Sequence, residues 1–154
     1  MERNNLFPVF LKLEFLDTLI VGGGHVGLEK LTAILKNSPT ARITLVARTI
    51  QEEIKQLAQQ HPTVILHERN FKLWDLWDKD LVMLATDNRS LHETIRKFAR
   101  TRRLLINVAD TPDLCDFYLG SVVTRGHLKI GISTNGKSPT IANRIREYLE
   151  EALP

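Results

Sequence analysis

Gly22, Gly24 and Gly27 stand at the spacing G-x-G-x-x-G within Leu19-Ile20-Val21-Gly22-Gly23-Gly24-His25-Val26-Gly27-Leu28-Glu29-Lys30. This pattern suits a dinucleotide pyrophosphate for a physical reason. The first glycine permits a tight turn, the second lets the backbone approach the phosphates, and the third lets a helix pack close to the strand before it. The helix N-terminus then meets the ligand with free N–H groups and the positive end of its dipole. A second chemical feature is Asp110, the only ionisable side chain in Leu104-Leu105-Ile106-Asn107-Val108-Ala109-Asp110. A carboxylate that follows a buried strand is suited to accept protons as a general base, tuned by burial. Plainer alternatives stand beside both: a βα turn with no ligand, and a turn aspartate ahead of Pro112.

The elements that must position these residues follow from periodicity. Leu16 to Val21 reads as a strand buried on both faces, and His25 to Lys36 as the helix after it, closed by Asn37-Ser38-Pro39. Strands are expected at Ala41–Ala47, Thr63–Leu66, Leu81–Ala85 and Leu104–Val108. Two helices between them are expected to open on capping boxes, Thr49-Ile50-Gln51-Glu52 and Ser90-Leu91-His92-Glu93. Trp74 and Trp77, in the link between the third and fourth strands, are expected to pack rather than bind. Strands alternating with helices predict an α/β fold, a Rossmann-like parallel sheet with right-handed crossovers. After Pro112 the rhythm changes. Phe117–Thr124 and Leu128–Ser133 read as a hairpin around Arg125-Gly126-His127, and a last helix starts with Ser138 as N-cap and Pro139 at its first position. The expected division is residues 1–112 as a nucleotide-binding domain and 113–154 as a hairpin-plus-helix appendage, too small to hold a core alone.

Ligands of open α/β sheets bind beyond the carboxyl ends of the strands. That rule gathers Gly22–Gly27, Arg48-Thr49, Thr86-Asp87-Asn88 and Asn107–Asp110 around one crevice. An acidic residue usually ends the second strand and receives the ribose hydroxyls of NAD; Arg48 stands there instead, which by the general rule favours NADP. Thr86 and Asp87 fall on the side where the nicotinamide lies, although Asp87 and Asn88 equally suit a plain turn. Ser133-Thr134-Asn135-Gly136-Lys137-Ser138 is polar and leads into a helix N-terminus, the makings of an anion cradle or of a simple connector. His25, His61, His67, His92 and His127 show no spacing suited to a helical metal pair, so no metal ligand is expected among them.

Bulk properties bound the rest. The chain has 154 residues, 43% hydrophobic and 25% charged, which describes a globular protein with a real core. No apolar run is long enough to span a bilayer, and Met1-Glu2-Arg3-Asn4-Asn5 lacks the layout of a secretory signal. Cys115 is the sole cysteine, so no intrachain disulfide forms, and a cytoplasmic protein is expected. The cluster Arg96, Lys97, Arg100, Arg102 and Arg103 reads as a solvated helix face or as a landing site for a polyanionic small molecule. With Phe98 as the one aromatic among them, no nucleic-acid platform is expected.

Five motifs in order carry a resemblance to a known family. They are Phe7-Pro8-Val9-Phe10-Leu11, Val21–Lys30, Ala85-Thr86-Asp87, Asn107-Val108-Ala109-Asp110-Thr111-Pro112 with Phe117, and Ile132-Ser133-Thr134-Asn135-Gly136-Lys137-Ser138-Pro139. In these the chain resembles the precorrin-2 dehydrogenase family, which includes the N-terminal part of bifunctional and trifunctional sirohaem synthases. The resemblance implies NAD-dependent oxidation of precorrin-2 to sirohydrochlorin and, in some members, insertion of Fe²⁺ at the same site. It implies nucleotide contacts at His25, Val26, Arg48 and Thr49, beside the Gly22, Gly23, Gly24, Gly27, Thr86 and Asp87 to which spacing and strand ends already point, with NAD as the cofactor despite Arg48. It assigns the essential base to Asp110. Asn107, Ser133, Thr134, Asn135, Gly136 and Lys137 are expected to receive the anionic tetrapyrrole, whose carboxylates call for cations and backbone N–H groups. Arg144, Arg146 and the cluster from Arg96 are further candidates for that role.

The family's hairpin forms an intertwined homodimer, which would give the appendage here its missing core. Two departures are visible. Longer members continue into a helical region that helps enclose the tetrapyrrole, so a chain ending at Pro154 is expected to have a more open site or to borrow a partner's surface. Gly120 replaces a common proline, a change expected to loosen the hairpin. Two other functions accommodate most of the same residues: a nucleotide-sensing regulatory domain and a non-catalytic tetrapyrrole carrier. Asp110 within Asn107–Pro112 is what a pure sensor would not need.

Overall fold

Thr18, Leu19 and Ile20 are almost inaccessible to solvent in the computed structural model, which describes residues 2–154. They lie on strand β1 (Asp17–Val21), the centre of a five-stranded parallel sheet. The chain continues through α1 (His25–Asn37), β2 (Arg42–Ala47), α2 (Glu52–Gln59), β3 (Val64–Glu68), β4 (Leu81–Leu84), α3 (Arg89–Arg102) and β5 (Leu105–Val108). Strand order is β3-β2-β1-β4-β5, so the chain builds outward from β1 on one side, then returns to build on the other. The reversal puts the switch point between β1 and β4, where α/β sheets hold ligands. The expected α/β Rossmann-like fold is what forms.

Alternation along the strands divides the core between the two faces of the sheet. Leu19 and Val21 of β1 join Val82, Leu84, Ile106 and Val108 in a cluster closed by Ile95 and Ala99 of α3. Ile20 and Met83 point the other way, into Leu31, Ile34 and Leu35 of α1 and Ile54 of α2. Each fully buried Leu or Ile contributes about 1.5–3 kcal/mol, so these two layers hold the sheet rigid behind the loops at its carboxyl edge.

Three local expectations come out differently in the structure. Thr49 does not cap α2, which starts at Glu52 with Gln51 as N-cap and no side-chain cap. The Gln51 N–H instead donates to the Gly23 carbonyl at 2.9 Å, so the segment after β2 is spent on meeting the glycine turn. In α3 the cap is Asn88, whose Oδ1 accepts the Leu91 N–H at 3.0 Å, two residues before the expected Ser90. Trp74 and Trp77, expected to pack, are 58% and 56% exposed, on and just after a short 3₁₀ turn (Leu73–Leu76) whose buried residue is Leu76. Their rings lie beneath cations, with Lys72 and Arg102 each 5.9 Å from a ring centroid.

The chain resolves into two compact units, Leu11–Phe117 and a second unit in which residues 1–10 join Tyr118–Pro154. In the second unit β6 (Ser121–Arg125) and β7 (Leu128–Ile132) pair antiparallel, and α4 (Pro139–Ala152) lies against them. Ser138 caps α4 as expected, its Oγ accepting the Ile141 N–H at 3.3 Å with Pro139 at the first position. Gly120 lets the chain approach the Ile132 carbonyl, which a Cβ at that position would strike. Among the described residues of this unit, Val123 and Ala142 are the buried hydrophobics. Ile141, Ile145 and Tyr148 are exposed along α4, Tyr148 by 68%.

Candidate functional site

The four glycines of the turn do not have equal room around them. Gly22 has φ +127°, and any Cβ on it would enter the Ala85 carbonyl. A Cβ on Gly23 would meet Ala47 and the segment from Thr49 to Ile50, and one on Gly27 would meet the Gly22 carbonyl. These three glycines are consumed by packing the turn against its neighbours. Gly24 differs, since the direction of its missing Cβ opens on empty space. It is the N-cap of α1 and supplies no side-chain cap. The first intrahelical bond runs from the Leu28 N–H to the Gly24 carbonyl, so the N–H groups of His25, Val26 and Gly27 have no helical acceptor. With no acidic residue in the first turn, the end of α1 is electropositive and uncovered.

Around this turn stand the other carboxyl-edge loops of the Leu11–Phe117 unit. Arg48 and Thr49 are exposed after β2. The Ala85 N–H donates to the Val21 carbonyl at 2.8 Å, which brings Thr86 beside the glycine turn. Thr86 is half-buried, and its Oγ1 lies 2.8 Å from Nε2 of His92; Asp87, which follows, is exposed. His92 itself is only 4% exposed, and burial first, then Arg89, pushes its pKa down against the opposing pull of Asp87. Metal-pair spacing passes over this residue. Its signal is periodicity, because His92, Ile95 and Ala99 share one stripe of α3.

Asn107, at the end of β5, is buried and donates from Nδ2 to the Phe117 carbonyl at 2.9 Å. Its Oδ1 is buried without a partner among the described residues. An acceptor so placed costs about 1–3 kcal/mol unless something donates to it. Asp110 does not have the buried setting expected of it. It stands exposed in the turn after β5, in the left-handed backbone region at φ +56°. A side chain held there extends from the sheet edge toward solvent or ligand, and strain of this sort gathers at functional positions.

Two expectations about cations need correction. Arg96 is neither a solvated cation nor a free anion contact, since its Nη1 is 2.5 Å from Asp116 Oδ2 and its side chain is 13% exposed. Asp116 Oδ2 also accepts the Ile106 N–H at 3.0 Å. Burial would raise the Asp116 pKa, but Arg96 and that N–H outweigh it and hold the carboxyl below its usual range. Arg146 is likewise engaged, 2.7 Å from Glu150 along α4.

Ser133 to Lys137 belong to the second unit. Asn135 and Gly136 both have positive φ, at +55° and +71°. Ser133 Oγ accepts the Asn135 N–H at 3.2 Å, and Thr134 Oγ1 accepts the Ser138 N–H at 3.1 Å. The loop is thus a built turn leading into α4. Lys137 is exposed, with Glu2 3.5 Å away, a surface pair worth little. Among the described residues no group of three or more His, Cys, Asp or Glu could hold a metal ion, and no helix is long and apolar enough to cross a membrane.

Comparison with known proteins agrees with this geometry. The NAD_binding_7 family model, described as "Putative NAD(P)-binding", matches residues 9–121, and the model "Sirohaem biosynthesis protein central" matches residues 125–152. The siroheme synthase of Psychrobacter cryohalolentis is 39% identical over 150 residues, covering 97% of this chain and 28% of that protein. The siroheme synthase of Ruthia magnifica subsp. Calyptogena magnifica is 33% identical over 150 residues, covering 97% and 31%. The chain therefore spans about a third of the length of these curated relatives. A solved structure titled "SirC, precorrin-2 dehydrogenase" matches with TM-score 0.75 and 26% identity, over 95% of this chain and 70% of that one. The resemblance carried by the five motifs is borne out.

Proposed function

We propose that this chain, which belongs to the NAD_binding_7 family, oxidises precorrin-2 to sirohydrochlorin with NAD⁺ as hydride acceptor. The observation that carries the reading is the uncovered N-terminus of α1 behind Gly24, on a chain similar throughout to a precorrin-2 dehydrogenase. The residues fit the dinucleotide. The N–H groups of His25, Val26 and Gly27 suit its pyrophosphate, Arg48 and Thr49 its adenosine half, and Thr86 and Asp87 its nicotinamide half. When bound, NAD⁺ supplies the two-electron acceptor. The unpartnered Oδ1 of Asn107 is an acceptor suited to an N–H of the cofactor or tetrapyrrole.

Oxidation of this kind removes a hydride and a proton. Asp110, projecting from the end of β5, takes the proton as general base. Ser133, Thr134, Asn135, Gly136 and Lys137 give N–H, hydroxyl and ammonium donors to the substrate carboxylates. Fe²⁺ enters as a second substrate and displaces two ring N–H protons, which Asp110 accepts one at a time and passes to solvent. The active assembly in this reading is a homodimer, whose second copy covers the exposed Ile141, Ile145 and Tyr148. Residues 11–117 serve the cofactor, and the unit of residues 1–10 and 118–154 serves the substrate carboxylates and the assembly.

The test is anaerobic incubation of the purified chain with precorrin-2 and NAD⁺, following absorbance of the reduced nicotinamide. Formation of NADH together with sirohydrochlorin is expected. Substrate consumed without NADH, or no turnover by a folded dimer, would sink the assignment.

A further inference from the structure

A histidine buried at a loop base is costly unless its ring nitrogens are used, because burial strips the imidazole of water. His92 lies in the first turn of α3, and its Nε2 is used on Thr86 Oγ1 at 2.8 Å. The same oxygen accepts the Asn88 N–H at 3.3 Å, and the Asn88 carbonyl accepts the His92 N–H at 3.0 Å. Thr86, Asn88 and His92 thereby close a ring of three hydrogen bonds around the turn that follows β4. Asn88 Oδ1 extends it to the Leu91 N–H. On the opposite flank, Ala85 donates to Val21, and its carbonyl fills the space a Gly22 side chain would need. The Thr86–Asn88 segment is held between the glycine turn and His92.

A hydroxyl both donates and accepts, so a neutral imidazole completes the ring in either tautomer. The stripe of α3 that carries His92 is otherwise apolar, with Ile95 and Ala99 fully buried against the sheet. Packing alone would be served there by leucine. The imidazole adds a polar tie to one particular hydroxyl, at the edge of the sheet where the proposed cofactor lies.

We propose that His92 is a positioning residue for the dinucleotide: by holding the Thr86 hydroxyl it fixes the Thr86–Asn88 backbone where the nicotinamide half must dock. This inference rests on the NAD⁺ reading above. It makes His92 matter to the nicotinamide half and leaves the ADP-ribose half, served by the α1 N-terminus and the loop after β2, untouched.

Calorimetric titration of the full chain with NAD⁺ and separately with ADP-ribose tests it. His92→Leu and Thr86→Val should each weaken NAD⁺ binding roughly 3- to 10-fold, the range of one lost hydrogen bond, with ADP-ribose binding unchanged. The double variant should be no weaker than the worse single one, because both remove the same tie. His92→Gln, whose amide reaches the position of Nε2, should recover most of the affinity. If His92→Leu does not fold, Thr86→Val with Thr86→Ser as its rescue carries the comparison at a half-buried position. NAD⁺ affinity at the parental level in folded variants, or equal losses for both ligands, overturns the positioning role. A parent chain that binds neither ligand overturns the cofactor reading itself, and this inference with it.

Discussion

Arg96 and Asp116 meet at 2.5 Å and tie the middle of α3 to the segment after β5, twenty residues away. Both side chains are mostly buried, and Asp116 holds the Ile106 N–H as well. The pair therefore braces the strand that carries Asn107 and leads to Asp110. Asp116→Ala should lower unfolding free energy by about 1–3 kcal/mol, the range for leaving a buried donor unsatisfied. Urea denaturation at neutral pH measures this. Because the folded carboxyl titrates below its usual 3.8, its contribution is present above that value and lost as pH falls through the depressed one. The parent–variant difference should accordingly shrink in strong acid.

His92 gives a second acid-sensitive term, in a different window. Burial first and Arg89 next hold its pKa below the usual 6.5, against Asp87, so the unfolded chain binds the proton more readily. Stability from this group is full above pH 6.5 and is lost as pH falls from there through the lower folded value. Thermal melts between neutral and mildly acidic pH should show the decline, and His92→Gln should flatten it. An unchanged slope in the variant would assign the decline to other groups.

Gly24 separates ligand binding from folding. Its Cβ direction is open, so Gly24→Asp should fold and melt near the parent. The carboxylate would stand at the α1 N-terminus against the pyrophosphate, and NAD⁺ affinity should fall at least tenfold, about 1.4 kcal/mol. Gly27→Ala should show the reverse priority, with the fold damaged first, because its Cβ meets the Gly22 carbonyl.

Asp110→Asn keeps the shape of the side chain and removes its basicity. Precorrin-2 turnover should fall about 10²–10⁴-fold while NAD⁺ affinity stays near parental. Any Fe²⁺ insertion should decline with it, since ring protons must leave before the metal enters. Parental turnover in Asp110→Asn would transfer the role of base elsewhere.

Tyr148 is 68% exposed in line with Ile141 and Ile145 on α4. Ile145→Lys combined with Tyr148→Glu should convert a dimeric parent to monomer in light scattering at micromolar concentration. A parent that is already monomeric there would contradict the proposed assembly.

Much of this protein was readable from local pattern. Strand and helix order, the hairpin, the Ser138 cap and the glycine turn each depend on residues close together in the chain, where propensity and spacing act directly. What spacing could not show was how the glycines divide. Gly22, Gly23 and Gly27 serve packing against Ala85, the Thr49–Ile50 segment and the turn's own carbonyl, while Gly24 alone faces open space. That division depends on strands that meet only in the sheet. Thr49 carries a capping signature, yet its segment is taken up by contact with Gly23 through Gln51. Arg96 looks like a surface residue of a basic helix until Asp116 is brought to it, and the spacing that puts His92 on the buried stripe does not name Thr86 as its partner. A polar side chain is buried only where a partner compensates its lost hydration, and for these two the fold supplies the partner. Sequence by itself determined the elements and the type of chemistry; the tertiary structure decided which polar groups are spent on holding the site and which remain for a ligand.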